Sequence, residues 1–163
     1  MRFRFSPEDE AFRSDVREFI RAELPKVRQG ESFTKKLVQK GWLTMSWPKE
    51  YGGQEANHIR QLVYNEEMSY NRAPGTTMGI DRVGPTIILF GTEEQKAEFL
   101  PRIARDDITW CQGFSEPGSG SDLASLQTKA VEDGDQFVVN GSKIWTSNAQ
   151  NADYMILLAR TDP

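Results

Sequence analysis

Phe12, Val16, Phe19, Ile20 and Leu24 recur at intervals of four, three, one and four, which gathers the large apolar side chains of the N-terminal stretch on one helical face. Ser6-Pro7-Glu8-Asp9 marks where that helix begins: a hydroxyl N-cap, proline at the first helical position, and acids against the positive end of the helix dipole. Pro25 ends it. Phe33, Leu37 and Val38 predict a second, shorter helix closed by Gly41. Trp42 to Pro48 is apolar but aperiodic, and Pro48 with Gly52-Gly53 makes it a packed connection. Ile59, Leu62, Val63 and Tyr70, with Glu66 and Glu67 between them, predict a helix over about 57–71 that Pro74-Gly75 stops. Gly79, Gly84 and Pro85 bracket weaker helical material through Phe90. Thr92-Glu93-Glu94-Gln95 is a capping box for a helix whose inner side carries Ala97, Phe99, Leu100 and Ile103.

After Asp106-Asp107 the period shortens to two. Phe137, Val139 and Ile144 alternate with other residues, and Asp133-Gly134 and Asn140-Gly141 have the residue types of tight hairpin turns. Strands are predicted near 109–114, 127–131, 135–139, 142–147 and 153–159. The expected fold class is therefore α+β: an all-α N-terminal domain over 1–107, followed by an incomplete antiparallel β-sheet or barrel over 108–163. Tyr154 to Ala159 reads as buried on both faces, and such a strand needs further strands or a covering layer. The chain is expected to be the front part of a larger protein.

Composition narrows the function classes. With 37% hydrophobic residues the 163-residue chain can build an ordinary core. Its 20 basic and 24 acidic residues are spread along the sequence, so no nucleic-acid partner is expected. One cysteine, Cys111, excludes an internal disulfide, and with one histidine, His58, no metal site is expected. No apolar run reaches the length of a membrane span, and the N-terminus lacks the apolar centre of a signal peptide, so no membrane partner and a cytoplasmic location are expected.

The chemistry-bearing stretches are few. No G-x-G-x-x-G follows a strand and no G-x-x-x-x-G-K occurs. Glu66-Glu67 and Glu93-Glu94 read as solvated surface charge, His58 as a polar boundary residue, and Cys111 as a small packed side chain. Two segments remain, 112–122 and 143–148. Taken as plain structure, Ser115 and Ser147 are turn hydroxyls, Trp145 is core, and Gly118 to Asp122 is a tight loop. The other reading places a planar redox cofactor against Trp145, with hydroxyls and backbone amides reaching its heteroatoms. It requires the two segments to meet at one edge of the sheet.

Five motifs, in order along the chain, decide between these alternatives. They are Trp-Pro-Lys-Glu-Tyr-Gly-Gly at 47–53, Gly-Thr-Glu-Glu-Gln-Lys at 91–96 leading into Phe99-Leu100-Pro101, Trp-Cys-Gln-Gly-Phe-Ser-Glu-Pro-Gly-Ser-Gly-Ser-Asp at 110–122, Asn-Gly-Ser-Lys-Ile-Trp-Thr-Ser-Asn at 140–148, and Leu-Leu-Ala-Arg-Thr-Asp-Pro at 157–163. In these the chain resembles the acyl-CoA dehydrogenase family. The resemblance implies an N-terminal helical domain to about residue 107 and a middle β-domain that binds FAD against a C-terminal helical bundle. It implies that Gln112, Phe114 and Ser115 line the flavin, Ser115 standing where the family usually has threonine. Gly120 and Ser121 would lie by the FAD diphosphate, with Ser121 also beside the substrate thioester. Trp145 would pack on the isoalloxazine with Thr146 and Ser147 at its edge, Ser147 again replacing a threonine.

The implied reaction removes the α proton of an acyl-CoA with a base, holds the thioester oxygen by hydrogen bonds, and moves a hydride from the β carbon to flavin N5. The family's base is a glutamate of the C-terminal domain, outside these 163 residues, so no catalytic residue is expected here and Glu116 is expected to play a hydrogen-bonding role. The chain alone is expected to turn over no acyl-CoA and to hold FAD weakly or not at all. Acyl-CoA, an electron-transfer flavoprotein and homo- or hetero-oligomeric assembly are the implied partners of the complete enzyme. The alternative is a non-catalytic subunit or assembly partner completed by another chain that supplies the base, and within the enzyme class an oxidase is the nearest competitor. The wording at 110–115 is similar to bacterial branches of the family, some of which handle bulky or ring-bearing acyl groups.

Overall fold

Ser6 opens α1 (Pro7–Glu23) by accepting the Asp9 amide on its hydroxyl at 3.1 Å, and Phe12, Val16 and Ile20 turn inward. The computed structural model describes residues 4–29 and 32–162. The chain divides into two units, one ending at Asp107 and the other beginning at Ile108. In the first, a 3₁₀ segment over Leu24–Gln29 leads to α2 (Phe33–Lys40), which Gly41 closes at φ 65°. The aperiodic connection is buried as expected: Trp42, Leu43, Met45 and Trp47 all lie inside. Trp42 meets Phe12, Phe19 and Tyr64 edge-on, with ring centroids 5.6, 5.2 and 6.2 Å away, an arrangement that suits the aromatic quadrupoles.

Asn57 caps α3 (His58–Tyr70) through a 2.9 Å bond from the Arg60 amide. The inward face of α3 differs from the apolar pattern. Ile59 and Leu62 are each 45% exposed and Tyr70 is 88% exposed, whereas Val63, Tyr64, Glu67 and Met68 are buried. Reading Glu67 as surface charge is therefore corrected, while Glu93 and Glu94 do lie on the surface. The reason is on α1: Arg13 Nη1 and Arg17 Nε donate to the two Glu67 oxygens at 2.9 and 2.8 Å, so the carboxylate goes inside with its charge compensated. A π-helical turn over Gly79–Val83 runs into α4 (Gly84–Phe90).

The capping box of α5 (Glu93–Ala104) forms in full, with the Gln95 amide donating to the Thr92 hydroxyl at 3.3 Å and the Thr92 amide to the Gln95 side chain at 3.0 Å. Thr92→Ala is expected to lower stability by about 1 kcal/mol, seen as a lower urea midpoint at unchanged slope. Leu100 and Ile103 are buried, but Ala97 is exposed. His58 is exposed and Cys111 buried, as expected of a boundary residue and a packed thiol.

In the second unit, β2 (Lys129–Asp133) and β3 (Gln136–Asn140) form the expected antiparallel hairpin, with Val131 opposite Val138 and Gly134 turning the chain at φ 68°. β1 (Trp110–Gly113) and β4 (Tyr154–Leu157) pair in parallel instead, Trp110 opposite Tyr154. The loop after β1, the β2–β3 hairpin and an irregular strap over 141–148 form the long crossover that parallel pairing needs. Segment 142–147 is no strand. Asn140-Gly141 makes no left-handed turn, and Gly141 answers a different demand, since a Cβ there would run into Thr128. The run at 154–157 is half-buried, with Met155 41% exposed, and the hairpin leaves Val131, Phe137, Val138 and Val139 open on its surface. The sheets are open-edged, and no helix among the described residues is long and apolar enough to cross a membrane.

Candidate functional site

The exit of β1 runs through Phe114 and Ser115 into a loop folded around one carboxylate. Glu116 and Ser119 exchange backbone hydrogen bonds of 2.7 and 3.1 Å, closing a turn over Pro117-Gly118. Ser119 is buried and its hydroxyl donates to the Asp122 carbonyl at 2.9 Å, joined there by the Ser125 hydroxyl at 2.8 Å. Ser119 is thus committed to the loop, while Gly120 and Ser121 stand on its exposed rim. A Cβ at Gly118 or Gly120 would meet nothing within 4 Å, and neither glycine is left-handed. The loop's own conformation makes no demand for glycine at these positions, but their bareness lets backbone amides be approached closely.

The Glu116 side chain is 7% exposed and accepts the Gln127 amide at 2.6 Å, the Thr128 amide at 2.9 Å and the Lys143 ammonium at 2.8 Å. The Lys143 hydrogen bond, followed by those from Thr128 and Gln127, outweighs burial and holds the carboxyl down at about 2. Glu116 is accordingly a fixed anion with its oxygens engaged, matching the hydrogen-bonding role expected of it and unsuited to accept a proton from carbon. Lys143 also donates to the Phe114 carbonyl at 3.1 Å, and the Ile144 amide donates to the Ser115 carbonyl at 2.9 Å.

These bonds bring the two sequence-predicted segments together. Gln112, half-buried in β1 opposite Ile156, and half-buried Phe114 and Ser115 lie on one side; Lys143, Ile144 and Trp145 lie on the other. Trp145 is neither core nor the end of a strand. It is 86% exposed and sits at φ 58°, a left-handed backbone that a bulky side chain rarely adopts and that costs on the order of 1–3 kcal/mol. Thr146 is half-buried and its carbonyl accepts the Ala149 amide at 3.3 Å, while Ser147 is exposed and Asn148 is again left-handed at φ 61°. The residue that sequence reasoning passed over is Lys143. Its signal was present: a single cation in a strap of small and apolar residues, facing a loop with a single buried acid.

Residues 6–107 match the family model of the acyl-CoA dehydrogenase N-terminal domain, and residues 111–163 match that of the middle domain. The chain belongs to the acyl-CoA dehydrogenase family. Acyl-CoA dehydrogenase FadE26 of Mycobacterium tuberculosis is 42% identical over 178 residues, covering 100% of this chain and 44% of its own. The crystal structure of the ChsE4-ChsE5 complex from the same organism superimposes with a TM-score of 0.88 at 44% identity, over 100% of this chain and 44% of that one. A structure described as the Tcur3481-Tcur3483 steroid ACAD also gives 0.88, at 40% identity and over 46% of its length. The chain thus spans less than half the length of these relatives.

Proposed function

We propose that these 163 residues supply the helical N-terminal domain and the flavin-facing part of the β-domain of an FAD-dependent acyl-CoA dehydrogenase. The observation that carries this is the Ile144 to Ser115 hydrogen bond of 2.9 Å, which sets the exposed Trp145 beside the β1 exit. The donor set fits FAD: Trp145 offers a flat apolar face, Ser115, Thr146 and Ser147 offer hydroxyls, and Gln112 and Phe114 complete a wall. Gly120 and the Ser121 hydroxyl offer bare backbone and a donor for a diphosphate or a thioester oxygen. Bound FAD would supply the acceptor for the β-carbon hydride in α,β-dehydrogenation of an acyl-CoA thioester. Proton abstraction is not assigned to Glu116, whose carboxylate is engaged by three donors and held ionised at about 2. The 163-residue chain by itself is expected to turn over no acyl-CoA.

A ring-bearing acyl group is the substrate class favoured by likeness to a steroid ACAD, and an electron-transfer flavoprotein is the electron acceptor that the family resemblance favours. Likeness to a chain of the ChsE4-ChsE5 complex favours a second reading, in which a different chain completes the assembly and brings the base.

The test is titration of the isotopically labelled chain with FAD, followed by NMR. Weak binding should shift the Ser115, Thr146 and Ser147 amides and the Trp145 indole together. Trp145→Ala should weaken that response about tenfold, as loss of an aromatic surface worth roughly 1.4 kcal/mol predicts. A Trp145→Ala chain that titrates like the unsubstituted one ends the proposal.

A further inference from the structure

The geometry points to Lys143 as the residue that positions Trp145: its ammonium, shared between the Glu116 carboxylate and the Phe114 carbonyl, pins the strap so that the indole stands outward. This role deepens the flavin-facing reading above and rests on it. The Trp145 side chain does little to anchor itself, being 86% exposed, so its left-handed backbone must be imposed by its neighbours. On its C-terminal side the Thr146 carbonyl takes only the local Ala149 amide at 3.3 Å, whereas the neighbours on its N-terminal side are tied to the β1 exit. Lys143 bonds Glu116 at 2.8 Å and the Phe114 carbonyl at 3.1 Å, and Ile144 bonds the Ser115 carbonyl at 2.9 Å, so consecutive strap residues are tied to consecutive residues of the β1 exit.

The start of the strap is fixed from the same carboxylate. Glu116 accepts the Thr128 amide at 2.9 Å, and Gly141 packs so closely on Thr128 that a Cβ would not fit. Gly141 and Lys143 are therefore both referenced to Glu116, one through Thr128 and one directly. An ion pair with side chains 8% and 7% exposed is a poor source of net stability, because desolvation offsets its attraction. Its contribution is geometric: it sets where the strap passes, and with it the aim of the next side chains, Trp145, Thr146 and Ser147.

The experiment reads Trp145 without cofactor first. In the labelled chain, Lys143→Met should keep the amide signals of the β2–β3 hairpin and move the Trp145 Cα shift and amide coupling from left-handed toward extended values. On adding FAD, the response at Ser115 should weaken roughly fivefold. Lys143→Arg, which keeps the charge and its donors, should recover part of both. If Lys143→Met fails to fold, Glu116→Gln is read the same way, since it removes the charge that holds the ammonium while keeping an acceptor oxygen for one of the two backbone amides. Left-handed Trp145 signals in a folded Lys143→Met or Glu116→Gln chain would overturn the role of Lys143, whatever FAD does. Lack of any FAD response in the unsubstituted chain would instead sink the flavin-facing reading, with the cofactor-free signals still deciding the positioning.

Discussion

Glu67→Ala is expected to destabilise the helical unit by about 3 kcal/mol, because it takes from the buried Arg13 guanidinium its only buried carboxylate partner among the described residues. The Glu67 side chain is 5% exposed, and each of its oxygens takes one arginine, Arg13 at 2.9 Å and Arg17 at 2.8 Å. Arg13 would still reach Glu66 at 2.9 Å and Glu10 at 3.5 Å, which places the loss at the lower end of the ~3–5 kcal/mol seen for broken buried pairs. Urea unfolding followed by the fluorescence of buried Trp42 and Trp47 measures it. Glu66→Ala is the control: its side chain is 47% exposed, so the loss should stay below about 1 kcal/mol. Equal losses at the two positions would show that Glu67 is not the interior partner.

The same pair fixes the acid response. Burial pushes the Glu67 carboxyl up, but hydrogen bonds from Arg17 and Arg13 outweigh it and hold the group below its ordinary 4.5. A carboxyl lowered on folding contributes fully above the unfolded value, and that contribution disappears as pH falls through the folded value. The gap between the wild-type chain and Glu67→Ala should thus narrow below pH 4.5. In the other unit Glu116, held at about 2, keeps its contribution until the pH falls toward that value.

Gly84→Ala is expected to cost roughly 2–3 kcal/mol, against the sign that helix propensity alone would give. Gly84 has helical backbone angles at the head of α4, where alanine would otherwise gain about 1 kcal/mol. A Cβ there would land on the Trp47 ring, which is 2% exposed and tethered by its Nε1 donating to the Ile80 carbonyl at 3.3 Å. Gly53 is pressed against the Trp47 backbone, which hinders the main chain from carrying the ring away from Gly84. In a Trp47→Leu background the added cost of Gly84→Ala should fall below about 1 kcal/mol, a coupling that thermal or urea unfolding of the four variants resolves. Stabilisation by Gly84→Ala in the native background would show that the ring does not lie on the glycine.

Local chemistry was legible wherever its partners are close in sequence. Ser6, Asn57 and Thr92 begin helices because a cap is satisfied within three residues, and Gly41 and Gly134 turn the chain because they carry no Cβ. The loop and strap of the candidate site were legible as motifs. Which face of α3 goes inside was not: Ile59 and Leu62 are apolar yet exposed, and Glu67 is charged yet buried, because α1 presents arginines to it.

Sequence by itself determined the succession of helices, the hairpin around Gly134 and the family motifs, all of which are set by residues near one another along the chain. Only the tertiary structure decided that β1 and β4 run parallel, that 141–148 is a strap and not a strand, and that Trp145 is left-handed and outward. Those outcomes depend on hydrogen bonds between distant residues, Lys143 to Glu116 and Ile144 to Ser115, and no local preference of a tryptophan would choose that backbone without them.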